Sequence, residues 1–285
     1  MKQILRHLTS NFFYLLKLPQ KREGVIVLTY HRVHEAMPAD DLNTPPEIFR
    51  RHMRYLKDHC RVIALGELLK EEAWEPLKGT RAQPTVVITF DDGYRDNYLN
   101  AYPVLKELGL PAVLFLVTGM IGTDKKRPRY AALPDPDMMD WEEVREMAEG
   151  GITFAPHTHT HPRLAQMSYE QQKKEIQDSL ETLNAQHFAG FCKSVFCYPY
   201  GDYNEDTLAI MAELGFRLAF TVKPGINDAK TPLLELRRTG INGRDTLFDL
   251  KKKLAGAFDW LHEQTQRKTL HHLVGGAGGK GKGAG

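Results

Sequence analysis

Short β-branched apolar runs alternate with longer segments of helical period along most of this chain. Val25 to Tyr30, Thr85 to Phe90, Ala112 to Val117, Ile152 to Ala155, Ser194 to Tyr198 and Arg217 to Thr221 are nearly continuous in apolar residues, a pattern that predicts strands buried on both faces. Helix punctuation separates them. Thr44 with Glu47, Asp140 with Glu143 and Ser168 with Gln171 fit capping boxes, and Gly109 and Gly215 stand where helices should stop. The order βαβα predicts a mainly parallel α/β sheet or barrel. No internal repeat and no proline-rich or serine-rich linker divides the core.

The two ends read differently. Before Gly24, apolar Ile4, Leu5, Leu8, Phe12, Leu15 and Leu16 recur at helical spacing beside Lys2, Arg6, Lys17, Lys21 and Arg22. That basic amphipathic pattern suits packing on the domain or weak, salt-sensitive attachment to an anionic membrane surface. Residues 266–285 end in a glycine run with Lys280 and Lys282, which cannot bury a core. The expected organisation is a basic segment over residues 1–23, one catalytic domain over 24–265 and a tail over 266–285.

Composition narrows the function. With 42% hydrophobic and 26% charged residues, the 285-residue chain belongs with ordinary globular proteins. Its 38 Lys and Arg against 36 Asp and Glu leave a formal charge of +2, without the positive excess a nucleic-acid binder needs, so nucleic acid is not an expected partner. Cys60, Cys192 and Cys197 are too few and too irregular for a disulfide framework or a four-cysteine zinc site, and read as buried thiols. The apolar run Phe12 to Leu16 is short for an export signal. The expected location is the cytoplasm, peripheral to the inner membrane if the basic segment binds there.

Chemistry concentrates at strand ends. Thr89-Phe90-Asp91-Asp92-Gly93-Tyr94 places two adjacent carboxylates after an apolar strand, where they repel unless a cation or an arginine compensates. In His157-Thr158-His159-Thr160-His161-Pro162, His157 and His161 have the three-residue separation that brings two imidazoles to one ion, leaving His159 outward or behind them. Asp91 or Asp92 would complete such a site. Cys197-Tyr198-Pro199-Tyr200-Gly201 ends another strand in a turn that can aim a backbone N–H as an oxyanion donor, and His31 follows the first strand. In a parallel barrel these C-terminal ends gather on one face.

The Thr-Phe-Asp-Asp-Gly, His-Thr-x-x-x-His-Pro and Tyr-Pro-Tyr-Gly elements, in this order, resemble the polysaccharide deacetylase family, also called NodB-homology or carbohydrate esterase family 4. The resemblance spans Gly24 to His262. It implies a distorted (β/α) barrel that removes N-acetyl groups from sugars with a divalent ion, usually zinc, held by Asp92, His157 and His161, with Asp91 as base. Two departures stand out: Cys197 occupies the neighbourhood where many members carry an arginine, and the Leu-x-His element near the C-terminus has no clear counterpart. Leu28-Thr29-Tyr30-His31 resembles instead the branch of biofilm poly-N-acetylglucosamine deacetylases, which implies His31 as the acid. Leu236-Arg237-Arg238 resembles that branch's Leu-Pro-Arg and implies Arg238 as the residue orienting Asp91. Substrate contacts are expected from Tyr200, Pro199 and Trp141, under a loop over Ile121 to Met139 carrying Lys125, Lys126, Arg127 and Arg129. A deformylase or amidase for a small amide would use the same groups, and a carbohydrate-binding pseudoenzyme would keep the barrel without turnover.

Overall fold

The computed structural model describes residues 24–35, 42–70, 83–125 and 138–256. The basic segment over 1–23, the tail over 266–285 and the middle of the loop after residue 125 lie outside these residues. The chain divides into two compact units, residues 22–250 and residues 1–21 with 251–285, and of the latter only residues 251–256 are described. No helix among the described residues is long and apolar enough to cross a membrane.

The elements alternate as the apolar pattern requires: β1 (Val25–Tyr30), α1 (Pro46–His59), β2 (Arg61–Val62), α2 (Leu65–Leu68), β3 (Thr85–Asp92), α3 (Tyr102–Leu108), β4 (Val113–Leu116), α4 (Trp141–Glu149), β5 (Thr153–Pro156), α5 (Tyr169–Ala185), β6 (Val195–Cys197), α6 (Glu205–Glu213), β7 (Leu218–Phe220), β8 (Thr239–Gly240) and α7 (Leu247–Leu254). The main sheet runs β5-β4-β3-β1-β8 with β2 also on β3, every ladder being parallel. A second parallel pair, β6 and β7, meets the ring through Phe220 and Leu236 on one side. On the other, the residue after β5, His157, donates its Nδ1–H to the Cys197 carbonyl of β6 at 2.7 Å. The result is the expected distorted (β/α) barrel.

Side chains alternate across a strand, so the barrel interior is read off by twos. Val25 and Val27, Val87, Val113 and Phe115, Ala155, Val195 and Cys197, Leu218 and Phe220, and Leu236 form one buried cluster. The alternate residues face the helices. Tyr30 and Phe90 pack on Phe49 of α1, with ring centroids 5.3 and 5.8 Å away, while Phe196 and Ala219 cluster with Ile176 of α5 and Ile210 and Met211 of α6. Continuing the inward series by twos reaches His31 through Thr29, Asp91 through Thr89, His157, and Arg238. The polar mouth of the barrel is therefore the upper end of its apolar interior.

Two capping boxes form as expected, Asp140 with Glu143 and Ser168 with Gln171, and Gly109 and Gly215 carry the left-handed φ of +62° and +76° after α3 and α6. The Thr44 box does not form. Helix α1 is entered through Pro45 and begins at Pro46, whose ring presets φ and has no N–H to cap, while the Thr44 N–H bonds to Arg32 O. A box at Asn204 with Thr207 opens α6 instead. The three cysteines are unpaired, Cys60 and Cys197 buried as expected but Cys192 only half-buried, in the strap between α5 and β6.

Phe115 sits at the top of the apolar interior, its ring centroid 5.5 Å from that of Phe220 and 5.8 Å from the Arg238 guanidinium carbon. Truncating Phe115 to Ala should lower unfolding free energy by about 3–5 kcal/mol, the usual cost of emptying an aromatic core position. Urea denaturation measures this, and a loss below about 1 kcal/mol would mean the interior does not depend on that ring.

Candidate active site

An ideal strand would point Asp91 and Asp92 to opposite faces. Asp92 instead takes φ +76° and Gly93 φ +87°, and both carboxylates reach the mouth. Asp92 Oδ1 lies 3.2 Å from His161 Nε2 and 3.9 Å from His157 Nε2. Asp91 Oδ2 lies 3.9 Å from His31 Nε2, on a half-buried imidazole. Neighbours in sequence thus face different partners.

The histidine loop is folded by its own backbone. Thr158 and His161 take φ +66° and +65°, and Thr158 Oγ1 accepts the His161 N–H at 3.0 Å. Glu175, from α5, accepts the N–H groups of His159 and Thr160 at 3.0 and 2.9 Å. His159 turns aside, its Nδ1 3.1 Å from Thr118 Oγ1, as expected of an outward residue. Of the five non-glycine residues with positive φ among those described, Asp92, Thr158, His161 and Tyr200 all belong to this site. Such conformations cost about 1–3 kcal/mol each and persist where the surroundings impose them.

Arg238 is buried and clamps Asp91 with both ends of its fork, Nη1 to Oδ1 and Nη2 to Oδ2 at 2.7 Å each, while Nε donates to Thr221 O at 2.9 Å. The arginine inferred from Leu236-Arg237-Arg238 is thus in contact with Asp91. Burial acts to raise the Asp91 pKa, but Arg238, His157 and His31 outweigh it and hold the carboxyl below its ordinary value. Burial lowers His31 against the opposing pull of Asp91, and pushes His157 down to about 4, so His157 is neutral at pH 7. Because a carbonyl can only accept, His157 Nδ1 carries the proton toward Cys197 O and its Nε2 lone pair faces Asp92.

The donors Asp92 Oδ1, His157 Nε2 and His161 Nε2 suit a divalent ion. Two imidazoles and one carboxylate with a position left for water is a common catalytic zinc set, and the separations of 3.2 and 3.9 Å bracket the roughly 3.4 Å edge of a tetrahedron with bonds of roughly 2.1 Å. Asp91, His157 and Cys197 also cluster within 4.8 Å. That second set fits poorly: both Asp91 oxygens are engaged by Arg238, and an ion there would have to deprotonate a buried Cys197 thiol whose pKa burial raises well above its ordinary value.

Tyr200 is 49% exposed with φ +59°; its ring packs edge-on against His161 at 4.5 Å between centroids, and the Arg163 guanidinium lies 4.3 Å over its face. Pro199, buried, opens that turn. Gly201 takes φ +65° where a Cβ would come within 2.8 Å of the Val222 backbone nitrogen, so only glycine fits. Trp141, half-buried at the start of α4, lies against Gly122. Of the basic residues expected on the loop, only Lys125 is among the described residues.

A family model described as polysaccharide deacetylase matches residues 78–219. YxkH of Bacillus subtilis (strain 168), whose name places it with the polysaccharide deacetylases, is 30% identical over 225 residues, 78% of this chain and 73% of that protein. The chain belongs to the polysaccharide deacetylase family. Members are hydrolases of carbon–nitrogen bonds. The poly-β-1,6-N-acetyl-D-glucosamine N-deacetylase of Staphylococcus aureus (strain MRSA252) is 28% identical over 243 residues, 76% of this chain and 80% of that one. Streptococcus pyogenes deacetylase PplD, solved in complex with acetate, superposes with a TM-score of 0.68 at 28% identity, covering 81% of this deacetylase chain and 98% of its own.

The residues that support this site are scarcely marked in the sequence. Glu175 reads as one more charge on an amphipathic helix, and Asp96 and Asn97 as the start of another. Only the Asp-Asn pair soon after the Asp-Asp turn was there to notice. The Arg238–Asp91 contact yields a direct test. Arg238→Met should cost about 3–5 kcal/mol by leaving Asp91 buried without its counter-charge, and adding Asp91→Asn should return most of it. A double-mutant cycle by chemical denaturation with no coupling between the two would contradict the clamp.

Proposed function

We propose that this chain removes N-acetyl groups from N-acetylated sugars of a polysaccharide or glycan precursor, by a hydrolysis that depends on a divalent ion, zinc first. The observation that carries the reading is the division between the two adjacent carboxylates, Asp92 facing His157 and His161 while Asp91 faces Arg238 and His31. The name of the Staphylococcus aureus relative supports a poly-N-acetylglucosamine as the first polymer to try.

An amide has a weakly electrophilic carbonyl and a poor leaving group, so its hydrolysis needs an activated water, a stabilised oxyanion and a proton donor. Asp92, His157 and His161 would hold the ion, which when bound acidifies a water and polarises a carbonyl. Asp91, kept ionised and fixed in orientation by Arg238, accepts the water's proton. The backbone N–H of Tyr200, whose ring packs on His161, would serve the oxyanion, and the Tyr200 ring offers a face to the sugar. His31 protonates the departing amine. Its Nε2 lies 3.9 Å from Asp91 Oδ2, so in this reading the proton that Asp91 takes from water is passed through His31 to the amine.

Two measurements taken together test this. Asp92→Ala and His157→Ala should lose bound metal by elemental analysis, whereas Asp91→Asn should keep it and release acetate from N-acetylglucosamine oligomers about 10² to 10⁴ times more slowly. Full metal occupancy in the first two variants, or wild-type acetate release by Asp91→Asn, would sink the assignment. Turnover of small formamides with no acetate from any glycan would redirect it to an amidase.

A further inference from the structure

We propose that Asp96 and Asn97 are positioning residues for His31, holding the backbone on both sides of it so that its imidazole stands beside Asp91. This rests on the reading of His31 as the proton donor. The ladder between β1 and β3 ends at Tyr30 opposite Phe90, so His31 stands one residue beyond sheet pairing. Side chains from the start of the helical segment after β3 take over where the ladder stops. Asn97 Nδ2 donates to His31 O at 2.8 Å, Arg32 Nε donates to Asp96 Oδ2 at 2.6 Å, and Val33 N–H donates to Asp96 Oδ1 at 2.8 Å. Three consecutive residues are thereby tied to two. Asn97 Nδ2 also reaches Asp96 Oδ1 at 3.1 Å, which locks the two short side chains to each other.

The clamp is buried and charged. Arg32 and Asp96 are each 3% exposed and Asn97 is fully buried, and the Arg32 guanidinium lies 4.7 Å over the Tyr94 ring. A buried ion pair is poor evidence of stability, because apolar residues often serve that purpose as well, so its direction matters more than its presence. Here, apart from the bond between the two side chains themselves, Asp96 and Asn97 direct their side chains to the backbone or side chain of residues 31–33. Asp91, Asp96 and Asn97 lie on one short stretch of chain, so the clamp sets the acid in register with the base, leaving 3.9 Å between His31 Nε2 and Asp91 Oδ2.

A misplaced proton donor and a weakened fold differ in which substrate suffers. An amine leaving group must be protonated, whereas the phenolate of 4-nitrophenyl acetate departs without a proton. For Asn97→Ala, kcat on N-acetylglucosamine oligomers should fall at least ten-fold further than kcat on the aryl ester, with KM for the oligomer and metal content near wild type. Asp96→Asn, which keeps its shape and an acceptor for Val33, should shift the same ratio in the same direction and serves if Asn97→Ala fails to fold. His31→Ala is the reference and should show the largest amide-selective loss. An equal fall on both substrates in the Asn97 and Asp96 variants, beside a selective loss in His31→Ala, would overturn the positioning role and leave the donor reading intact. Equal losses in His31→Ala itself would overturn the donor reading and this inference with it.

Discussion

The mouth of the barrel is organised by one buried ion pair, Arg238 with Asp91. Removing two charges from water costs several kcal/mol per ion, and the pair is tolerable only because each partner is nearly saturated: two parallel bonds of 2.7 Å to the carboxylate, and Nε on the Thr221 carbonyl. The pair also joins β3 to the segment running into β8, so the chemistry depends on the closure of the ring. Its electrostatic consequence is to hold Asp91 ionised and fixed. Asp92, one residue on, is left to face the two imidazoles. Without Arg238 two carboxylates so close would compete for a proton, and neither would have a settled role.

The same economy governs the strain. Asp92, Thr158, His161 and Tyr200 all take positive φ, and each is pinned nearby: Gly93 follows Asp92, Thr158 Oγ1 and Glu175 tie the histidine loop, and Gly201 lies against Val222. These conformations bring side chains from three strand ends to one point where regular strands would have spread them over two faces. The polar supports lie outside the donor cluster and fix its backbone, as a pre-organised site requires.

Much of this was readable in advance for a physical reason. The interior of a parallel barrel is a continuous apolar stripe with period two, so the six main strands stand out, and the residues that break the stripe at its upper end, Asp91 and His157, announce themselves by being polar there. His31 stands out at the end of the first strand, but its role and that of Arg238 rest on likeness to a family whose matched segment, residues 78–219, contains neither. What stayed hidden was short or distant. β2 and β8 have two residues each, below the length at which a period can be seen. Thr44 looks like a helix cap until Pro46 takes the first helical position. Asp96, Asn97 and Glu175 act on residues 15 to 66 positions away, beyond the reach of any local period.

In the proposed reaction adjacent carboxylates divide the work, Asp92 toward an ion and Asp91 toward a proton. An anomalous-difference map from crystals of the zinc-loaded protein tests it most directly. One peak is expected, about 2.0–2.2 Å from Asp92 Oδ1, His157 Nε2 and His161 Nε2, with Asp91 still bonded to Arg238. A peak held by Asp91, His157 and Cys197, with Arg238 displaced, would contradict it.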